Sequence, residues 1–215
     1  MPQIPSPLDV SPSTETRLLS LVPRPLRSLI GPAAVVLLIC LFQWPILSGI
    51  YKFEFSSPDL ANMTFPDFEI RAHALREGVI PIWNPYQFAG EPALGHVKPA
   101  VLDPLSFLLL AAPLKDGHIA LRYIDAYFVF LHCLAGLAAY FLARELRVRI
   151  PLSVIAGVFY AVGGMTGNTG WIEFLTQLVY PPLVLLFLLR SLRGRRSLAN
   201  AALSGALLGI SWFSG

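Results

Sequence analysis

Long apolar runs alternate with short basic turns along the chain, and one long polar stretch interrupts the pattern. Apolar runs cover Leu29–Tyr51, Ala120–Leu142, Ile150–Met165, Trp171–Leu189 and Leu198–Phe213. A helix rises about 1.5 Å per residue, so roughly 20 apolar residues cross the hydrocarbon core of a bilayer. The pattern predicts an all-α integral membrane protein of about five transmembrane helices, with a large outer loop of amphipathic and interfacial helices after the first span. The predicted organisation is a flexible cytoplasmic tail over 1–27, a transmembrane helix over 28–51, an extracytoplasmic loop over 52–119 and a bundle of four further spans over 120–215. The first apolar run is longer than a signal-peptide core, so a retained span is expected there, kinked near its outer end by Pro45. Val101–Leu114 is too short to cross and reads as an interfacial or re-entrant helix. Ala135, Gly136, Ala138 and Ala139 give the second span a small-residue face for close packing.

Orientation follows from Arg and Lys in the short loops. Arg17, Arg24 and Arg27 in the tail, Arg144, Arg147 and Arg149 in one turn, and Arg190, Arg193, Arg195 and Arg196 in another mark the cytoplasmic side. The uncharged turn 166–170 and the long polar loop then lie outside. The last apolar run ends without a polar terminus, so the protein is expected to continue beyond Gly215.

Within the loop, Thr64 is a candidate helix cap, followed by Pro66, Asp67 and Glu69 in the early turn, with Gly78 as the stop. Phe65, Phe68, Ala72 and Leu75 repeat at three and four residues, which predicts an amphipathic helix. Arg71 and Arg76 are expected on its other faces, either reaching lipid phosphates or simply solvated. The segment from Ile80 to Pro92 is proline-stiffened and non-helical. Its Trp83, Tyr86 and Phe88 form either an interfacial belt or a platform for a sugar or polyprenyl chain. Asp59 could act as a general base, a metal ligand or a helix cap. Asp67, Glu69, His73, His96 and Asp103 are further possible ligands, in a spacing that matches no compact metal motif. Arg122 and Asp125, three apart at the outer end of the second span, can pair on one helix face, and His132 is read as bonding a nearby carbonyl. Glu173 stands beside Trp171 at the outer start of the fourth span. These polar groups all face the outer side, as Asp59 does.

Composition sharpens the class. Of the 215 residues, 55% are hydrophobic and 13% charged, about half the charged fraction of soluble domains, and mean hydropathy is +0.62. The net charge of +3 sits at span ends and makes no basic face for nucleic acid. Cys40 and Cys133 lie inside apolar runs and read as small hydrophobes rather than as a disulfide or a metal pair.

One phrase in the loop is specific: Phe65-Pro66, Leu75, Gly78, Pro81, Trp83-Asn84-Pro85-Tyr86, Phe88, Gly90 and Pro92, followed by Ala100-Val101, Pro104 and Leu108. It resembles the YfhO-like family of bacterial multi-pass membrane proteins, grouped with the GT-C-type glycosyltransferases, over about residues 45–215. The resemblance implies a GT-C-like fold in the bacterial plasma membrane, with a cytoplasmic N-terminus and an active site in the first outer loop. It implies a polyprenyl-phosphate sugar donor and an envelope glycan or lipid as acceptor. Asp59 takes the place of the family's base or metal-linked carboxylate, although Pro58 stands where the family usually has glycine. Asp103 and His96-Val97-Lys98 depart from the family's aromatic and amide-rich positions. Arg71, Arg76, His96 and Lys98 are the candidates for the donor phosphate, and Trp83, Asn84, Tyr86 and Glu173 for the acceptor or the loop scaffold. A divalent metal, Mg or Mn, held by Asp67 and Glu69, is the one cofactor considered. The competing classes are a transporter or flippase of lipid-linked saccharide and a non-catalytic membrane scaffold. Charges that cluster at the outer edge rather than at mid-membrane argue against transport.

Overall fold

The computed structural model describes residues 24–51, 58–86, 89–93, 103–164, 172–194 and 196–212. These are mostly helical, with two very short antiparallel hairpins. In chain order they form α1 (Arg24–Phe42), α2 (Trp44–Leu47), a π-helical turn (Leu60–Thr64) that runs into α3 (Phe65–Arg76), β1 (Trp83–Asn84), β2 (Glu91–Pro92) and α4 (Ser106–Leu110). There follow β3 (Leu114–Lys115), β4 (His118–Ile119), α5 (Leu121–Glu145), α6 (Ile150–Val162), α7 (Ile172–Leu192) and α8 (Ser197–Trp212).

Helix α1 begins at Arg24, so residues 24–27 belong to a helix and not to the expected tail; residues 1–23 lie outside the described residues. The expected kink at Pro45 is a full break. Proline has no N–H to bond the preceding turn, so the chain leaves helical geometry at Gln43 (ψ 11) and α2 starts afresh with Pro45 in its first turn.

The bundle is built around α5, which packs against α1, α6 and α7, while α8 lies along α7. The small-residue face read from the sequence is where the helices close up. A methyl group on Gly157 would sit 2.6 Å from the Gly136 carbonyl oxygen, and one on Gly136 would sit 2.6 Å from Ile39 and 3.1 Å from the Gly157 carbonyl oxygen. Glycine at both positions lets two backbones and a side chain of α1 share one crossing. Gly31 faces Tyr140, and Val35 and Ile39 face Gly136, so α1 runs antiparallel to α5. Helix α7 runs parallel to α5, because Glu145 at the end of one meets Arg190 and Arg193 at the end of the other, each at 2.9 Å. The Ser204 hydroxyl bonds the Val184 carbonyl oxygen at 3.0 Å and seats α8.

Among the described residues, two helices are long and apolar enough to cross a membrane, Leu121–Glu145 and Phe174–Leu192, which suggests membrane association. The apolar helices Ser28–Phe42, Ile150–Val162 and Ser197–Trp212 are shorter. With 13 residues, α6 is about 20 Å long. Outward faces carry large apolar side chains, among them Leu37 and Leu41 on α1, Ile155 and Phe159 on α6, and Leu198 and Leu208 on α8.

The stretch expected to be an interfacial helix is a single helical turn, α4, followed by a hairpin that the hydrophobic pattern did not announce. Asp116 (φ 54) and Gly117 (φ 84) both adopt left-handed geometry, the combination that a two-residue hairpin turn requires.

Candidate functional site

The loop is organised by α3. Its helical stretch opens at Pro58 and Asp59, passes through the π turn and reaches Arg76, and Gly78 (φ 72) ends it as expected. Thr64 is not a cap: it has helical backbone angles, is buried, and makes no capping bond through its side chain. Phe65, Phe68 and Ala72 are buried and Leu75 packs on the same core, as their spacing predicts.

Arg71, expected on another face, belongs to this apolar stripe. It lies three residues after Phe68 and four before Leu75, and its side chain is 3% exposed. The guanidinium stacks over the Phe68 ring at 4.4 Å, donates from Nε to the Asp67 carbonyl oxygen at 3.2 Å and stands 3.6 Å from the Asp67 carboxylate. That carboxylate also accepts from Asn84 Nδ2 at 3.3 Å. Buried Asn84 in turn accepts from the Tyr86 N–H at 3.0 Å, closing the turn that follows β1. Asp67 and Arg71 thus tie the first hairpin to α3.

A second face of α3 holds the second hairpin. Glu69 accepts from His118 Nδ1 at 3.1 Å and from the Ile119 N–H at 3.2 Å, and His73 Nε2 donates to the Gly117 carbonyl oxygen at 2.7 Å. Arg76 serves a third neighbour. It donates to the carbonyl oxygens of Ala72 (2.7 Å), Leu110 (3.1 Å) and Ala112 (2.6 Å), so it covers carbonyls that the end of α4 leaves without helical donors.

Beneath α3 lies a buried polar cluster. Fully buried Asp103 accepts the Tyr180 hydroxyl at 2.5 Å and the Leu105 N–H at 3.0 Å, and its backbone carbonyl accepts the Ser106 hydroxyl at 2.7 Å. One carboxylate therefore starts α4 and fastens it to α7. The buried Tyr127 hydroxyl sits beside Thr176 and within electrostatic reach of both Asp103 and Arg71. The cluster joins α3, α4, α5 and α7 at the end of the bundle opposite the arginine turns. Asp103 was noted in the sequence, but Tyr127, Thr176 and Tyr180 were not. Thr176 and Tyr180, four apart on an otherwise apolar helix, carry the signal that could have found them.

Asp59 is exposed in the first turn of the helical stretch, where a carboxylate complements the helix dipole. The next turn, through Ala61 and Phe65, lines an open groove of about 370 Å³ that is completed by Glu69, Lys115, His118 and Ile124. Trp83 and Tyr86 are exposed, and the Trp83 ring lies on Gly90, where φ is 112 and a methyl group would come within 2.6 Å of it. His96, Lys98, Phe88 and Trp171 lie outside the described residues, and of Glu173 only its place in the first turn of α7 is described. Arg122 turns to its neighbour Tyr123, bonding the hydroxyl at 3.0 Å and stacking at 4.8 Å, while Asp125 is buried. His132 bonds the Phe128 carbonyl oxygen at 2.9 Å, as expected.

Asp67 and Glu69, the pair considered for a metal, meet different partners. Two residues apart on a helix they point to different faces, one to Arg71 and Asn84 and the other to His118. Among the described residues no group of three or more His, Cys, Asp or Glu side chains is placed to hold a metal ion.

No family model, no curated protein and no solved structure matches the chain.

Proposed function

We propose that the chain forms part of a membrane glycosyltransferase that moves a sugar from a polyprenyl-phosphate donor to an envelope glycan or lipid on the outer face of the bacterial plasma membrane. The reading takes the family resemblance of the loop phrase as its premise and five crossings as its topology. The observation that carries it is the position of Asp59. It stands exposed beside a groove, on a helical stretch at the end of the bundle opposite the arginine turns, the end that this reading takes as outer. Antiparallel α1 and parallel α7 agree with that topology, and the apolar outward faces suit lipid.

Asp59 acts as the base that takes the proton from the acceptor hydroxyl. The departing phosphate needs a cation. Arg71 and Arg76 already serve Asp67 and the end of α4, which leaves that role to Lys98 and His96. In membranes carrying the protein, Asp59→Asn is expected to lower sugar transfer by about 100-fold or more while insertion is unchanged. Transfer at the wild-type rate would remove Asp59 from the mechanism.

A non-catalytic scaffold is the second reading. What favours it is that Asp67, Glu69, Arg71 and Arg76 all hold loop segments together. It is the reading to adopt if wild-type membranes transfer no sugar while the loop still recruits a partner.

A further inference from the structure

The seam between α1 and α5 brings the two cysteines together. Gly31 faces Tyr140 and Val35 faces Gly136, and Ile39, one turn further along α1, still touches Gly136. Cys40 follows Ile39 directly, and Cys133 precedes Gly136 by three residues, so the antiparallel register sets Cys40 opposite Cys133. Both are half-buried free thiols packed on the same apolar core, and Cys133 also packs on the seam cluster of Val35, Ile39 and Tyr140. On the α1–α5 seam a methyl group on Gly136 would sit 2.6 Å from the Ile39 side chain and 3.2 Å from that of Val35, so α1 packs directly on the α5 backbone one turn from Cys133, the approach that a short cross-link needs.

We propose that Cys40 and Cys133 are a dithiol that closes to a disulfide across the α1–α5 seam and so pins the first helix to the bundle. The proposal stands apart from the sugar-transfer reading. Helix α1 leads toward Asp59 and the loop, so the bond would stop α1 sliding on α5 and fix the loop's point of departure. Closure needs a two-electron oxidant able to enter the apolar seam, and a lipophilic aromatic disulfide serves. One cysteine thiolate attacks a reagent sulfur and expels the first aromatic thiol. The second cysteine then attacks the protein sulfur of the mixed disulfide and expels the other. The two cysteines are oxidised, the reagent's S–S bond is reduced to two thiols, and the two cysteine protons pass to them.

The experiment treats membranes carrying the whole chain with a dipyridyl disulfide. The expected result has three parts: two thiopyridones released per chain, no maleimide labelling of either cysteine after denaturation, and one proteolytic peptide pair linking the two cysteine segments, reversed by dithiothreitol. Cys40→Ser and Cys133→Ser should each release one thiopyridone and keep a stable pyridylthio adduct, which shows access to each thiol. A wild-type chain that keeps two pyridylthio adducts overturns the proposal. So does one whose thiols both remain alkylatable, including the case in which the single variants fail to react as well.

Discussion

At the scale of single residues, Arg71 and Asp103 carry the most consequence. Both are buried: Asp103 links α4 to Tyr180 of α7, and Arg71 braces the Asp67 carboxylate that holds Asn84 of the first hairpin. Arg71→Met keeps the stem against Phe68 but takes the guanidinium cation away from the partly buried Asp67 carboxylate. A loss of about 3 kcal/mol is expected, read as a lowered thermal midpoint in detergent. Tyr180→Phe removes only the hydroxyl that Asp103 accepts and is expected to cost about 1–3 kcal/mol by the same measurement. A Tyr180→Phe protein as stable as wild type would mean that the short Tyr180–Asp103 contact does not fasten α4 to α7. The place of Arg71 was open to view in the sequence. Its spacing from Phe68 and Leu75 puts it on the apolar stripe, but arginine is so seldom buried that residue type outweighed periodicity. Tyr180 was hidden for the opposite reason, since a tyrosine in an apolar helix looks like ordinary core until its acceptor is known.

At the scale of elements, the loop is a set of short pieces held by one helix. Side chains of α3 hold the first hairpin, the second hairpin and the end of α4. The helix was legible from its apolar spacing and its glycine stop. Its beginning was not, because the π turn merges it with an earlier stretch and turns Thr64 into an interior residue. The second hairpin was readable in principle from Asp116-Gly117, but its strands of two residues each show no alternation. Gly117→Val puts a branched side chain at φ 84. It should cost about 1–2 kcal/mol locally and speed amide hydrogen exchange over 114–119, leaving α5 protected. Exchange unchanged at those amides would contradict the assigned turn. Among the bundle helices, the Gly136–Gly157 crossing was anticipated by small-residue composition. Gly157→Leu cannot be accommodated against the Gly136 backbone. Separation of α5 from α6 is expected, seen as loss of a cysteine cross-link engineered across that crossing.

At the scale of the whole molecule, the chain divides into a polar cap and a helical bundle, with arginine turns at the opposite end from the cap. Glu145, its side chain 8% exposed, draws Arg190 and Arg193 together with the end of α5. Opposed ends and an apolar perimeter are what a membrane would sort. Helix lengths alone support two crossings, and the relative directions of α1, α5 and α7 add a consistent order. The most direct test is one labelling experiment on intact cells, in a background where Cys40 and Cys133 are replaced by serine. Tyr86→Cys is expected to react with a membrane-impermeant maleimide from outside, and Arg193→Cys only after the cells are permeabilised. Equal labelling of the two positions in intact cells, or labelling in the reverse order, would contradict an outer loop borne on membrane-crossing helices.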